Sequence, residues 1–169
     1  VTARGSGTAT IKAAIGGKTA TCEVTVRKSG VRYMTHIQSY GWEKEWKENG
    51  EMSGTSGESK RLEGIKIELF DTKYSGGIEY STHVQSYGWQ DPVADGKMSG
   101  TSGESKRLEA IKINMTGEIA EKYDVYYRVH AQTYGWLDWA KNGEEAGTAG
   151  LSKRLEGIMI ELTGDMKEK

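Results

Sequence analysis

From Val31 to Tyr40 the chain alternates, with Val31, Tyr33, Thr35 and Ile37 on one side and Arg32, Met34, His36, Gln38 and Tyr40 on the other. A period of two over that length predicts a strand with one face turned to a core. Asn49-Gly50 follows, a dipeptide that tolerates the positive φ of a tight turn, and it predicts a hairpin in the middle of the unit. Gly54-Thr-Ser-Gly57 is too rich in glycine for a helix and reads as a short strand running into a loop. Lys60 to Leu69 closes the unit as a second long strand. Its phase breaks: counting by twos from Leu69 through Ile67 and Ile65 puts Glu63 and Arg61 on the apolar face and turns Leu62 away. The break falls beside Gly64, where a β-bulge or a close backbone approach favours a small residue. The alternative is that Arg61 and Glu63 pair with each other or across a strand at the core edge.

This unit recurs. Tyr33-Met-Thr-His36-Ile-Gln38-Ser-Tyr40-Gly41-Trp42 returns as Tyr80-Ser-Thr-His83-Val-Gln85-Ser-Tyr87-Gly88-Trp89 and as Tyr127-Arg-Val-His130-Ala-Gln132-Thr-Tyr134-Gly135-Trp136. The histidines are 47 residues apart each time, and Ser53–Glu63 is identical to Ser99–Glu109. Asp95-Gly96 and Asn142-Gly143 repeat the turn, and Ala110 and Gly157 repeat the small residue. The repeats span 31–70, 78–116 and 125–162, within a domain of 29–169. Three or four strands per copy give an all-β domain, and three copies close a ring without exposed edges, as in a β-prism or β-trefoil. A linear row of three units is the competing arrangement, with short polar connections at Phe70–Gly77 and Thr116–Asp124 that suit either.

Residues 1–28 lie outside the repeat. Thr8–Ile15, Gly16-Gly17-Lys18 and Thr19–Val26 read as two strands around a glycine turn. A lone hairpin is marginal in water, so this one is expected to come from a sandwich or to lean on the repeats. Gly17-Lys18-Thr19 lacks the upstream glycine and the following helix of a phosphate loop.

Composition narrows the function classes. Lys+Arg of 23 against Asp+Glu of 24 leaves a net charge of −1, which provides no basic field for nucleic acid. A mean hydropathy of −0.66 without a long apolar run argues against membrane insertion. The chain opens at Val1 without a basic-then-apolar leader and reads as a piece of something longer. A single cysteine, Cys22, makes no internal disulfide, and no Cys/His cluster has metal spacing, so neither metal nor cofactor is expected. Twenty-three glycines, one proline and aromatics that are nearly all Trp and Tyr suit short strands and tight turns.

The repeated His-x-Gln-x-Tyr-Gly-Trp, the Gly-Thr-x-Gly and the Arg-Leu-Glu-(Gly/Ala)-Ile-x-Ile resemble the ChW repeat, the clostridial hydrophobic repeat with a characteristic tryptophan, over about residues 31–162. Residues 1–28, with Gly5-Ser-Gly-Thr-Ala-Thr-Ile11, resemble the closing two strands of a bacterial immunoglobulin-like group 2 domain. The resemblance implies a secreted or surface-attached Gram-positive protein in which such repeats sit beside adhesion, immunoglobulin-like or polysaccharide-degrading domains of the same chain. It supplies no ligand. Family copies often carry a second tryptophan; here Trp46 and Trp139 fill that role, while copy 2 has Pro92 and Val93, so that if this tryptophan makes a binding surface, copy 2 is the weak or silent site.

Each repeated side chain has a structural reading and a functional one. Trp42, Trp89 and Trp136 offer stacking platforms for sugar rings, but an aromatic present in every copy is expected to form the repeated core. Trp46 and Trp139 are then the better exposed candidates. His36, His83 and His130 share a strand face with Gln38, Gln85 and Gln132, and a hydrogen-bond network is favoured over a ligand site or a three-histidine metal site. Arg61, Arg107 and Arg154 with Glu63, Glu109 and Glu156 read as internal ion pairs ahead of a clamp for a carboxylate ligand. Positions that differ among copies, Arg32/Glu79/Tyr126 and Met34/Ser81/Arg128, are where one-sided protein binding would map. No nucleophile, base and orienting group stand in order, and three equivalent copies would imply three equivalent active sites, so a non-enzymatic role is expected. Two classes remain. One is an extracellular adhesion module recognising a glycan or host glycoprotein, with capture of a host protein such as immunoglobulin as a variant; the other is a scaffold or docking unit.

Overall fold

The computed structural model describes residues 7–26 and 30–164. The boundary expected at 28/29 and the opening Gly5-Ser6 of the amino-terminal signature lie outside these residues. The first hairpin forms as predicted: β1 (Gly7–Ile15) pairs antiparallel with β2 (Lys18–Val26) around Gly16-Gly17. Its side chains from Thr8 to Val24 are exposed, so neither face is covered.

Each copy contributes two long strands and three very short ones. Copy 1 has β3 (Gly30–Ile37), β4 (Gly41–Trp42), β5 (Lys47–Glu48), β6 (Ser53–Gly54) and β7 (Leu62–Phe70). Copy 2 repeats this as β8 (Gly77–Val84), β9 (Gly88–Trp89), β10 (Val93–Ala94), β11 (Ser99–Gly100) and β12 (Leu108–Thr116). Copy 3 has β13 (Tyr123–Ala131), β14 (Gly135–Trp136), β15 (Ala140–Lys141), β16 (Ala146–Gly147) and β17 (Leu155–Gly164). In each copy the two long strands pair antiparallel, and the first two short strands line the free edge of the first long one.

The third short strand leaves its own copy. β11 of copy 2 pairs with β7 of copy 1, β16 of copy 3 with β12 of copy 2, and β6 of copy 1 with β17 of copy 3. The last exchange returns to the start, so three open sheets are joined cyclically into a pseudo-threefold ring. The linear arrangement is excluded, and among the described residues no sheet curls into the barrel of a trefoil. Separate sheets linked in a ring match the prism alternative.

This exchange corrects the expected central hairpin. Asn49-Gly50 does turn, with both residues at positive φ and Glu51 N–H donating to Glu48 O. The strands on either side of it, however, belong to different sheets, and Gly50 N–H donates across the junction to Ile160 O at 2.7 Å. The turn is a crossing point between repeats. The tight hairpin sits earlier, at Gln38–Tyr40, where Ile37 pairs with Gly41 and Ser39 has φ 70°.

The period-2 reading of the long strands holds. Val31, Tyr33, Thr35 and Ile37 are buried and join their counterparts in one core with Ile65, Ile67, Ile111, Ile113, Ile158 and Ile160. The recurring core aromatic is Tyr33/Tyr80/Tyr127. Tyr33 Oη donates to Glu51 O in its own copy and accepts from Ile160 N–H of copy 3 at 3.0 Å; Tyr80 and Tyr127 do the same toward Ile67 and Ile113. Burial pushes the Tyr80 and Tyr127 hydroxyls up to about 12 and Tyr33 higher still, which keeps all three protonated and donating at ordinary pH. The connections are less featureless than expected. A four-residue helix, α1 (Ile119–Lys122), buries Ile119, whose N–H donates to Ser75 O in the other connection.

One buried layer differs among copies. In copy 1, Glu43 accepts from Thr35 N–H, from the Thr35 and Ser53 hydroxyls and from Gly54 N–H; in copy 2, Gln90 serves Thr82 and Gly100 N–H in the same way. Copy 3 carries Val129, Leu137 and Ala146 at these three positions. A half-buried carboxylate stripped of its donors is costly, whereas a matched apolar set is not. Thr35→Val or Ser53→Ala alone is therefore expected to lower stability by about 1–3 kcal/mol. The triple variant Thr35→Val, Glu43→Leu, Ser53→Ala should regain most of that loss. Urea midpoints of the three proteins decide it: additive losses in the triple variant would contradict equivalence of the two solutions.

Candidate functional site

The outward residues of the long strands make three related faces. In copy 1, β3 presents Arg32, Met34 and His36, β7 presents Lys66 and Glu68, and Trp42 of β4 lies directly opposite His36. The three tryptophans are not core. Trp42 and Trp136 are half-buried and Trp89 is 37% exposed. Their expected place is taken by the tyrosines, because the Gln38–Tyr40 hairpin carries the Tyr-Gly-Trp tip back onto the outer face.

Each tryptophan is held the same way. The histidine ring meets it edge-on, at 5.4 Å for His36–Trp42, 5.6 Å for His83–Trp89 and 5.5 Å for His130–Trp136. A cation lies over its ring: Lys66 at 4.7 Å, Lys112 at 4.4 Å and Arg128 at 5.0 Å. Positive charge over an indole face is worth about 0.5–1 kcal/mol when exposed.

Behind the histidine is the predicted ion pair. Arg61 Nε and Nη2 reach Glu63 Oε1 at 2.8 and 2.7 Å, and the same geometry recurs at Arg107–Glu109 and Arg154–Glu156. The second carboxylate oxygen lies 3.1 Å from His36 Nδ1, 3.1 Å from His83 and 3.2 Å from His130. It lies off the N–H direction, so Nδ1 is buried without a well-aligned hydrogen bond. The network therefore runs through glutamate. Gln38 meets Arg61 N–H only at 3.5 Å, and its backbone, like that of Gln85 and Gln132, pairs with the arginine carbonyl. The three histidines stand on three different sheets, each facing its own glutamate.

Both readings of the phase break hold at once. The ladder slips between His36 and Ile37, between Leu108 and Ala110, and between His130 and Ala131, so Glu63, Glu109 and Glu156 are the bulged residues. The bulge turns each carboxylate toward the arginine two residues before it.

Around this shared frame the faces diverge. In copy 1 Arg32 pairs with Glu68 at 2.5 Å and lies 5.3 Å over Trp46, which is half-buried. In copy 3 Arg128 sits between Trp136 and the exposed Trp139, 4.9 Å from the latter. Tyr126 there lies under Lys141, whose ammonium is raised by its hydrogen bond to Asp124. The structure thus brings Arg32 to Trp46 and Arg128 to Trp139, while Met34 stands beside Arg32 as a half-buried outer residue. In copy 2, Glu79 and Ser81 face no second tryptophan, and a groove of about 520 Å³ opens along Trp89 between Tyr87 and Met98.

The hairpin tips were not singled out in the sequence. Tyr40, Tyr87 and Tyr134 are all more than half exposed. Tyr40 and Tyr87 donate to Glu58 and Glu104, which holds their hydroxyls above the usual phenol range, and Leu151 stands at the matching place in copy 3. Positive φ at Ser39, Ser86 and Thr133 sets each tip.

The family model for Clostridial hydrophobic W (ChW) matches residues 36–70, 83–117 and 130–164, together more than half of the chain. No curated protein and no solved structure matches it.

Removing a partner from a largely buried ion pair is expensive, so Glu63→Gln is expected to cost about 2–4 kcal/mol. Glu58→Gln, at an exposed tip, should cost under about 0.5 kcal/mol. Equal shifts in the two urea midpoints would refute a structural role for the Arg–Glu–His cluster.

Proposed function

Because the chain belongs to the Clostridial hydrophobic W family, we propose that it is a non-catalytic binding module of a secreted or surface-attached Gram-positive protein, recognising a glycan or a glycan-bearing host protein. The observation that supports this most is the threefold display of a partly exposed tryptophan on an outer sheet face, held by a histidine and bordered by polar and cationic groups. An indole edge or face gives apolar contact to the C–H side of a sugar, and the surrounding donors and acceptors orient its hydroxyls. Three such faces on one rigid ring allow several weak contacts to act together. The strain at each hairpin tip is consistent with a backbone shaped for contact.

A second reading is capture of a host protein on one side of the ring. It is favoured by the differences between faces: Arg32, Glu79 and Tyr126 occupy one equivalent position with three chemistries. The amino-terminal hairpin, with its immunoglobulin-like sequence, fits a junction to a neighbouring domain of the same surface protein.

The test is an array of glycans and host glycoproteins probed with the intact chain and with a Trp46→Ala, Trp139→Ala variant. Glycan signals that fall several-fold in the variant support the glycan reading through these two faces. Signals only from intact proteins support the host-protein reading, and silence on both leaves a scaffold.

A further inference from the structure

Copy 2 differs from its neighbours at one corner of its outer face, and the difference opens a cavity of about 190 Å³. Its wall is formed by Glu79, Ser81, Pro92, Lys112 and Asn114, closed by Gly143 from copy 3. The ladder pairs Glu79 with Asn114 and Ser81 with Lys112, so these four are neighbours on adjacent strands.

The other copies show what this corner holds when it is occupied. In copy 1 the positions of Glu79, Asn114 and Pro92 carry Arg32, Glu68 and Trp46, and the Arg32 guanidinium pairs with Glu68 beneath Trp46. In copy 3 the positions of Ser81, Lys112 and Pro92 carry Arg128, Met159 and Trp139. There Arg128 Nη2 meets Met159 Sδ at 3.4 Å and its guanidinium stacks on Trp139. Copy 2 has Glu79 where copy 1 has Arg32, Ser81 where copy 3 has Arg128, and Pro92 where both have a tryptophan, on the same backbone. The frame is kept and the filling is gone.

What remains is a small, open recess with a mostly apolar floor, with the carboxylate of Glu79, the hydroxyl of Ser81 and the amide of Asn114 at its rim, and Lys112 beside it lies 4.4 Å over the Trp89 ring. At roughly 30 Å³ per water it has room for about six waters, the scale of one six-membered sugar ring rather than a chain. Glu79 disfavours an anion and Lys112 disfavours a cation. A carboxylate and an amide side by side accept from and donate to adjacent hydroxyls. The geometry points to a subsite in copy 2 for a single neutral pyranose, at the end of a glycan whose next residue lies along Trp89. This rests on the glycan reading above, and it reverses the expectation that copy 2 is the weak or silent site.

The test is saturation-transfer NMR of the intact chain with a panel of neutral methyl pyranosides, at concentrations on the order of 10 mM to suit a millimolar Kd. At least one pyranoside should receive saturation, and its signal should fall at least tenfold in Ser81→Arg, Pro92→Trp, which restores the side chains that copy 3 carries. Asn114→Glu, the residue of copies 1 and 3, is the milder second variant and should also weaken it, with the thermal midpoint of each variant establishing that the ring is intact. No transfer to any neutral pyranoside, or transfer that survives both filling variants, overturns the assignment. On the glycan array, capture that persists in the filled variant removes this subsite alone, whereas silence of the parent chain removes the glycan reading with it.

Discussion

Gly54, Gly100 and Gly147 sit where one repeat hands a strand to the next, and the contact is too close for any side chain. A Cβ at Gly54 would lie 2.5 Å from Glu156 O, one at Gly100 2.5 Å from Glu63 O, and one at Gly147 2.5 Å from Glu109 O. Each also holds φ above +100°, which L side chains rarely adopt. The same glutamate carbonyl accepts the N–H of the following threonine, Thr55, Thr101 or Thr148. The bulged glutamate therefore serves two repeats at once. Its backbone receives the neighbour's strand, and its side chain holds the arginine and histidine that support the tryptophan. Outer face and ring closure are coupled at one residue per copy.

That coupling explains why the three faces share a frame while differing in content. The backbone, the Arg–Glu–His cluster and the buried tyrosine are fixed by the junctions, so substitutions concentrate where no junction depends on them. Copy 3 replaces the polar triad of Thr35, Glu43 and Ser53 with an apolar one and tucks Arg128 between two indoles. Copy 2 empties the same corner. One fold thus presents an ion pair under an indole, a stacked guanidinium and an open recess on equivalent strands.

Much of this was legible in the sequence because its signals are local. Alternation from Val31 to Ile37, the phase break at Gly64 and the 47-residue return of histidine gave the long strands, the bulge and the repeat. The pairing of Arg61 with Glu63 followed from their spacing. The strand exchange was not legible, since Asn49-Gly50 makes the same turn whether the next strand pairs back or crosses to a neighbour. Missing the exchange also misplaced the tryptophans: without the Gln38–Tyr40 hairpin nothing showed that Trp42 returns to the outer face, and the core role fell to Tyr33 instead. The joint change of Thr35/Thr82/Val129, Glu43/Gln90/Leu137 and Ser53/Ser99/Ala146 was present in the letters. It becomes a signal only once those three positions are known to touch.

A chain ending at residue 122, which lacks the whole of copy 3, measures ring closure most directly. In a ring, β6 loses β17 and β12 loses β16, leaving two opened junctions and an uncovered core, so the shortened chain should show no cooperative thermal transition as a monomer. A folded monomer with a cooperative melt and a midpoint only modestly below that of the full chain would show that the copies stand as a row of independent units, and would contradict the account.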